Sequence, residues 1–375
     1  MFRLMFLSTF LTFVSCFANT QFVTDSIPEL ELKSSYVPYL KDLEEQGYCV
    51  IPNVLSKEEA EELYQRVWHD YIEKAWPNCK MDDRSNWKEF FPMHNRVGVF
   101  AGPAGQIQVM WDLRQDPRII DIFAKIWNTN DLIVSMDGLS LMCPPEIREE
   151  GRLDPWPHVD QTIIRHENNS ANYNIPPNDF VSESLLKSEP YTIQGQFLFE
   201  DSFDGDGGFY CIPKSHLKFN EFAPNVEAID MLNIPKKEIY KAKYSYLIDF
   251  FSNNKDDSYV FKHITAPRGS LILWDSRTVH WNQYASMDRP YNNNPKVRMV
   301  GYLCYVPKSR LTYETIALRR EAFKKGISTS HNPASPELKA SINHISQGFE
   351  NFFEDQKYIQ PKINLTPLGE SLLGW

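Results

Sequence analysis

A surplus of positive charge is the first thing this chain lacks. Its 375 residues carry 39 Lys and Arg against 49 Asp and Glu, a formal net charge of −10. Binding to nucleic acid without regard to sequence works through a basic footprint, so no nucleic-acid partner is expected. Paired cysteines are also missing. Cys16, Cys49, Cys79, Cys143, Cys211 and Cys304 are widely scattered with no C-x-x-C among them, which argues against a zinc knuckle and against a dense disulfide framework. Beyond the first residues there is no apolar run long enough to cross a bilayer, and there is neither an internal repeat nor a low-complexity segment. What is present in quantity is apolar and aromatic mass, 42% and 14% of residues. That is enough to bury a large core, in one large domain or two ordinary ones.

The N-terminus stands apart. Arg3 precedes Leu4-Met5-Phe6-Leu7 and Phe10-Leu11-Thr12-Phe13-Val14, followed by the small-residue run Ser15-Cys16-Phe17-Ala18. Residues 1–18 therefore read as a signal peptide cleaved after Ala18, or as a hydrophobic start that stays in place. The first reading places the protein in the secretory pathway, the periplasm or outside the cell; the second leaves it cytoplasmic. Cleavage would leave five cysteines, at least one of them unpaired.

Local signals outline the elements. Ser56-Lys57-Glu58-Glu59 is a capping box that opens a helix carrying Leu63, Val67 and Ile72. Asp116-Pro117 caps a second helix, Arg118 to Trp127, and Thr312 to Lys325 reads as a third. Strand candidates are Leu132–Met142, Tyr191–Phe199, Phe209–Ile212, Ser270–Trp274 and Val297–Val306, bounded by Gly, Pro and Asp turns. Polar stretches at 167–190 and 217–262 interrupt them as insertions, the second Lys-rich and partly helical. Short strands flanked by helices without a βαβ period point to an α+β fold, a jelly-roll or cupin-like barrel clad by N- and C-terminal helices.

The chemistry lies in four places. His158-Val159-Asp160 puts imidazole and carboxylate at i and i+2, on one face if the segment is a strand. By itself the tripeptide equally suits a solvated His beside the Pro155 and Pro157 turns. His280 ends what reads as one strand from Ser270 to Val279, where a third ligand can join them. Two His and one carboxylate form the face-capping set of non-haem Fe(II) sites, with the opposite positions left open. Arg298 opens the next strand and offers a planar fork for a carboxylate. Arg277 should face away, and Arg289, before Pro290, should be solvated. The Arg319-Arg320 and Lys324-Lys325 cluster reads as a solvated helical face. Gly205-Asp206-Gly207-Gly208 lacks the Gly-Lys-Ser/Thr ending of a phosphate loop and reads as a tight β turn. His216 suits a structural role in a loop beside the metal.

Taken together, these segments resemble the phytanoyl-CoA dioxygenase family of Fe(II)- and 2-oxoglutarate-dependent oxygenases. The resemblance runs from about residue 40 to 335. It is carried by Gly47-Tyr48-Cys49-Val50-Ile51-Pro52, by Asp206-Gly207-Gly208 through Ile212-Pro213-Lys214-Ser215-His216, by Pro267 to His280 and by Arg298 to Pro307. Lys214 stands where the family usually has Gly. The resemblance implies a double-stranded β-helix over 36–335, with 336–375 as a C-terminal extension. It implies His158, Asp160 and His280 as iron ligands and Arg298 as the anchor of the far carboxylate of 2-oxoglutarate, with Gln196 and Asn282 near the same co-substrate. Fe(II), 2-oxoglutarate and O2 would then hydroxylate a C–H bond of a small-molecule or lipid-like substrate, releasing succinate and CO2. A carboxylate at position 160 favours hydroxylation over halogenation, because no place is left open for halide. Two rivals stand beside this: a metal-dependent isomerase or hydrolase on a cupin-type barrel, with no use for Arg298, and a secreted, non-catalytic jelly-roll module that binds a ligand.

Overall fold

The computed structural model describes residues 37–87, 98–100, 102–147, 155–161, 191–230, 232–253, 259–289, 296–334 and 362–375. The N-terminal hydrophobic segment, the 167–190 insertion and residues 336–361 lie outside the described residues. Among the described residues no helix is long and apolar enough to cross a membrane.

Helices form where the local chemistry calls for them. After α1 (Val37–Gln46) comes α2 (Lys57–Val67). Ser56 Oγ accepts from the Glu59 N–H at 3.1 Å while Glu59 accepts from the Ser56 N–H at 2.7 Å, closing the anticipated capping box. A π turn (Trp68–Ile72) carries this helix onward. Next, α3 (Gln108–Arg114) leads to α4 (Pro117–Trp127), which opens with Asp116 accepting from the Arg118 N–H. It closes on Asn128 in the left-handed region at φ 50°, a conformation Asn tolerates better than most residues. The second insertion becomes a helical hairpin, α5 (Phe219–Asp230) and α6 (Lys236–Ser252). Near the end come α7 (Tyr313–Lys325), capped by Thr312, and α8 (Pro367–Leu372).

Among the described residues ten strands make two antiparallel sheets. They are β1 (Tyr48–Ile51), β2 (Val99–Phe100), β3 (Leu132–Val134), β4 (Leu139–Met142), β5 (Ile193–Leu198), β6 (Gly208–Cys211), β7 (Lys262–Ile264), β8 (Leu271–Asp275), β9 (His280–Gln283) and β10 (Arg298–Pro307). The major sheet runs β1-β8-β5-β10-β4-β2, with β3 also paired to β10; the minor sheet runs β7-β6-β9. Leu198, Ile272, Trp274 and Val300 of the major sheet pack against Phe209, Cys211 and Ile264 of the minor one. This is the jelly roll anticipated from the strand pattern, with helices over the outside.

The outer face of the major sheet is apolar. Ile193, Phe197, Leu271, Leu273, Leu303 and Tyr305 share one core with α2, α3 and α4. Because both faces are covered, every residue of β5 and β8 is buried, and the alternation from apolar to polar marks outside against inside rather than core against water. Gln194 and Gln196 therefore point into the barrel.

Two expectations about cations fail here. Arg319 is not part of a solvated face: it is fully buried and donates to the carbonyls of Val134, Pro333, Leu372 and Leu373. It thus ties α8 and β3 to α7. Arg289 is 4% exposed, forks onto Glu146 at 2.7 and 2.8 Å and reaches Asp206 at 3.4 Å. In both cases the partners come from distant parts of the chain, so nothing in the neighbouring sequence announces them. The five described cysteines are all buried, and no disulfide joins any two of them.

Candidate metal centre

The strand anticipated from Ser270 to Val279 breaks before it reaches His280. β8 stops at Asp275, the chain turns with the Thr278 N–H on the Asp275 carbonyl at 2.9 Å, and His280 opens β9 in the other sheet. The turn is braced from several sides. Arg277 does not face away along a strand but folds back on Asp275, Nη2 to Oδ2 at 2.6 Å. Thr278 Oγ1 donates to the Gly47 carbonyl at 2.9 Å, and the Val279 N–H donates to Ser215 Oγ at 2.9 Å. Gly47 has φ +79°, and a Cβ there would lie 2.4 Å from His216 Nδ1 and 2.5 Å from Thr278 Oγ1, so only glycine fits. His216, buried and donating to the Glu44 carbonyl at 3.0 Å, belongs to this brace, the structural role its loop suggested.

His158 and Asp160 lie on an extended segment rather than on a full strand. His158 and His280 exchange backbone hydrogen bonds at 3.0 and 2.9 Å as an isolated bridge, and the Asp160 N–H donates to the Ser276 carbonyl at 3.0 Å. The bridge brings the three side chains together. One donor atom from each of His158, Asp160 and His280 lies within 4.8 Å of the others. His158 Nε2 is 3.6 Å from Asp160 Oδ1, and His280 Nε2 is 3.2 Å from Asp160 Oδ2.

The ring nitrogens are assigned by their partners. His158 Nδ1 faces the Trp156 carbonyl at 3.2 Å and His280 Nδ1 the Thr278 carbonyl at 2.9 Å. A carbonyl can only accept, so both Nδ1 atoms carry the proton and both Nε2 lone pairs point at the shared space. Trp156 stacks flat on His158, centroids 4.4 Å apart and planes 7° apart, and its indole N–H donates to the Asn282 carbonyl at 3.1 Å. Gln194 Nε2 donates to Asp160 Oδ2 at 3.0 Å.

Electrostatics match this assignment. Burial, reinforced by the neighbouring His280, pulls the His158 imidazole down to about 3, so the ring is neutral at ordinary pH. Burial alone would raise Asp160. The His331, His280 and His158 imidazoles around it nevertheless hold its carboxyl well below the usual carboxylate range. Two imidazoles turned Nε2-inward and an ionised carboxylate, each already steered by a second partner, are a donor set that fits a divalent first-row metal.

The second half of the site is a buried guanidinium. Arg298, 8% exposed, donates from Nη1 to Ser140 Oγ at 2.8 Å and from Nη2 to Asn282 Oδ1 at 2.7 Å and Gln196 Oε1 at 3.0 Å. Asn282 Nδ2 in turn donates to the Tyr302 hydroxyl at 3.0 Å. Arg298, Gln196 and Asn282, which the resemblance set around one co-substrate, meet in one cluster. Among the described residues no carboxylate pairs with Arg298, so its charge is held by neutral oxygens alone. A buried cation of this kind suits an anionic ligand.

Several members of the site had gone unnoticed. Trp156 and Gln194 each lie two residues from a residue already chosen, and period-two alternation on an extended segment would have found them. Tyr302 sits opposite Gln196 in the β5–β10 register, which only pairing reveals. His331, beyond α7, carried no signal at all.

The profile of the phytanoyl-CoA dioxygenase (PhyH) family matches residues 43–281, more than half the chain. The Ava biosynthesis cluster protein O of Aspergillus versicolor is 26% identical over 303 residues, covering 80% of this chain and 87% of that relative. A putative phytanoyl-CoA dioxygenase of Dictyostelium discoideum is 23% identical over 76% of this chain and 80% of its own length. Among solved structures, HygX from Streptomyces hygroscopicus with nickel and 2-oxoglutarate bound is 13% identical. It aligns over 72% of this chain and 86% of its own, with a TM-score of 0.42. The extent of the family match, taken with the site just described, places this chain in the phytanoyl-CoA dioxygenase family.

Proposed function

We propose that the protein is a non-haem, Fe(II)- and 2-oxoglutarate-dependent dioxygenase that hydroxylates a C–H bond of a small-molecule or lipid-like substrate. The observation that carries this reading is the convergence of His158, Asp160 and His280 donor atoms within 4.8 Å. Fe(II), 2-oxoglutarate and O2 together supply the oxidation: one oxygen atom ends in succinate and the other in the new hydroxyl, with CO2 released.

The chain's own residues do the holding. His158 Nε2, His280 Nε2 and one Asp160 oxygen would bind the metal on one face. Trp156 and Thr278 keep the imidazoles in the right tautomer through their carbonyls, and Gln194 orients the carboxylate by occupying its Oδ2. Arg298 would fix the far carboxylate of 2-oxoglutarate with charge-assisted bonds, while Gln196, Asn282, Ser140 and Tyr302 hold the guanidinium in the barrel. Burial of this cluster excludes water from the ion pair and strengthens it. An isomerase on the same barrel has no use for Arg298, and a passive binding module none for the donor triad. The presence of both supports the oxygenase.

Anaerobic titration with Fe(II) and 2-oxoglutarate, followed by the weak visible charge-transfer band, tests this directly. The band should form in the wild type and vanish in His158→Ala, and aerobic succinate release should follow the same pattern across a substrate panel. A protein that binds no 2-oxoglutarate and whose metal content is indifferent to His158→Ala would be something else.

A further inference from the structure

The α5–α6 hairpin touches the candidate metal centre at three points. Its apolar core of Phe219, Phe222, Val226, Leu247 and Phe251 incorporates Val279 and packs against Val159. Val279 precedes His280, and Val159 sits between His158 and Asp160, so the hairpin core grips the backbone beside every donor. From α6, the Tyr240 ring meets the edge of Trp156 with centroids 6.3 Å apart. Trp156 in turn lies flat on His158. One turn further along α6, buried Lys243 is bound to Asp230 at the end of α5, at 2.5 Å, which locks the two helices together.

We propose that this hairpin is a positioning device for the metal ligands, with Tyr240 as its working contact: Tyr240 backs Trp156, and Trp156 holds the His158 imidazole at the angle a metal requires. The inference rests on the oxygenase reading for the identity of the metal, though not for the contacts. A side chain keeps one orientation only where packed neighbours fill the space behind it, and losing a group that orients a ligand typically weakens a metal site by 10- to 100-fold.

The test measures Fe(II) affinity anaerobically by calorimetry on the full chain, with thermal stability recorded in parallel. Tyr240→Ala should weaken Fe(II) binding by about tenfold while the affinity for 2-oxoglutarate at saturating Fe(II) stays within about twofold. Tyr240→Phe, which keeps the ring, should restore wild-type affinity. Asp230→Asn, at a half-exposed site remote from the donors, should weaken Fe(II) binding by a smaller factor, and it decides the matter if Tyr240→Ala does not fold. Wild-type Fe(II) affinity in Tyr240→Ala, or in Asp230→Asn where the first is unusable, overturns the proposal, as does a Tyr240→Phe variant no better than Tyr240→Ala. A wild type that binds no Fe(II) would instead sink the oxygenase reading, so the two failures are distinguishable.

Discussion

The two halves of the site are built differently. Arg298 stands at the start of the long strand β10, paired on one side with β4 and on the other with β5, and its partners Ser140 and Gln196 sit on those neighbouring strands. The three donors, by contrast, stand where regular structure gives out: His158 in an isolated bridge, Asp160 beside it, and His280 at the first residue of β9. The sheet ladder supplies two of the guanidinium's partners, and Asn282 of β9 reaches it from the other sheet. The metal pole needs braces from outside the sheet: the Gly47–Thr278–Ser215 contacts below His280, Gln194 on Asp160, and the helical hairpin with Trp156 on His158. A regular ladder holds a side chain through many backbone bonds at once, whereas a bridge offers two, so the irregular pole should be the more sensitive to remote changes.

Five substitutions would break or sharpen that contrast. The largest effect belongs to the donors themselves. His158→Ala or His280→Ala should lower Fe(II) affinity by well over about a hundredfold, beyond what loss of a supporting contact costs, and abolish succinate release above background; metal analysis after dialysis reads this directly. At the other pole, Arg298→Ala should leave Fe(II) affinity within about twofold but raise the KM for 2-oxoglutarate roughly thirtyfold or more, the consequence of removing one partner of a buried charge pair. Equal damage to both constants would show that the poles are not separable.

Smaller effects concern stability. His263 stacks on Tyr210 with centroids 4.6 Å apart, and burial, helped by repulsion from Arg298, pushes its imidazole down to about 4. The unfolded chain takes up that proton near 6.5. The contribution is therefore intact above about pH 6.5 and is lost as the pH falls towards 4, by on the order of 2 kcal/mol. His263→Phe should flatten the thermal midpoint over that interval; an unchanged slope would place the acid sensitivity elsewhere. At the metal pole, Lys214 adopts φ 62° while its N–H donates to the Gln46 carbonyl at 2.7 Å. Lys214→Gly should relieve the left-handed strain and stabilise the fold by about 0.5–1 kcal/mol, seen as a higher urea midpoint. No gain would mean that the Lys side chain is stabilising the turn in return.

The contrast also explains which features were readable from the chain alone. The caps at Ser56, Asp116 and Thr312 depend on atoms two or three residues apart, and the sequence displays them in full. His158, Asp160, His280 and Arg298 could be named because the chemistry demands those residue types and period-two spacing suggests who shares a face, whereas Gln196 and Asn282 came only from the family resemblance. What failed was continuity: β8 was read straight through the Asp275–Thr278 turn because Ser276 and Thr278 do not interrupt an apolar pattern strongly. Burial of cations also failed. Arg289 looks like a solvated turn residue until Glu146 arrives from 143 positions away, and Arg319 looks like a surface charge until the C-terminal carbonyls close over it.

Composition, caps and the order of ligand-type residues therefore determined what kind of fold and chemistry this chain would have, because those are local or additive properties. Which imidazole nitrogen faces the candidate metal site, which neutral oxygens gather around Arg298, and what presses on His158 from behind were decided only by tertiary structure. Each of those depends on atoms brought together from distant segments, at distances that no spacing along the chain encodes.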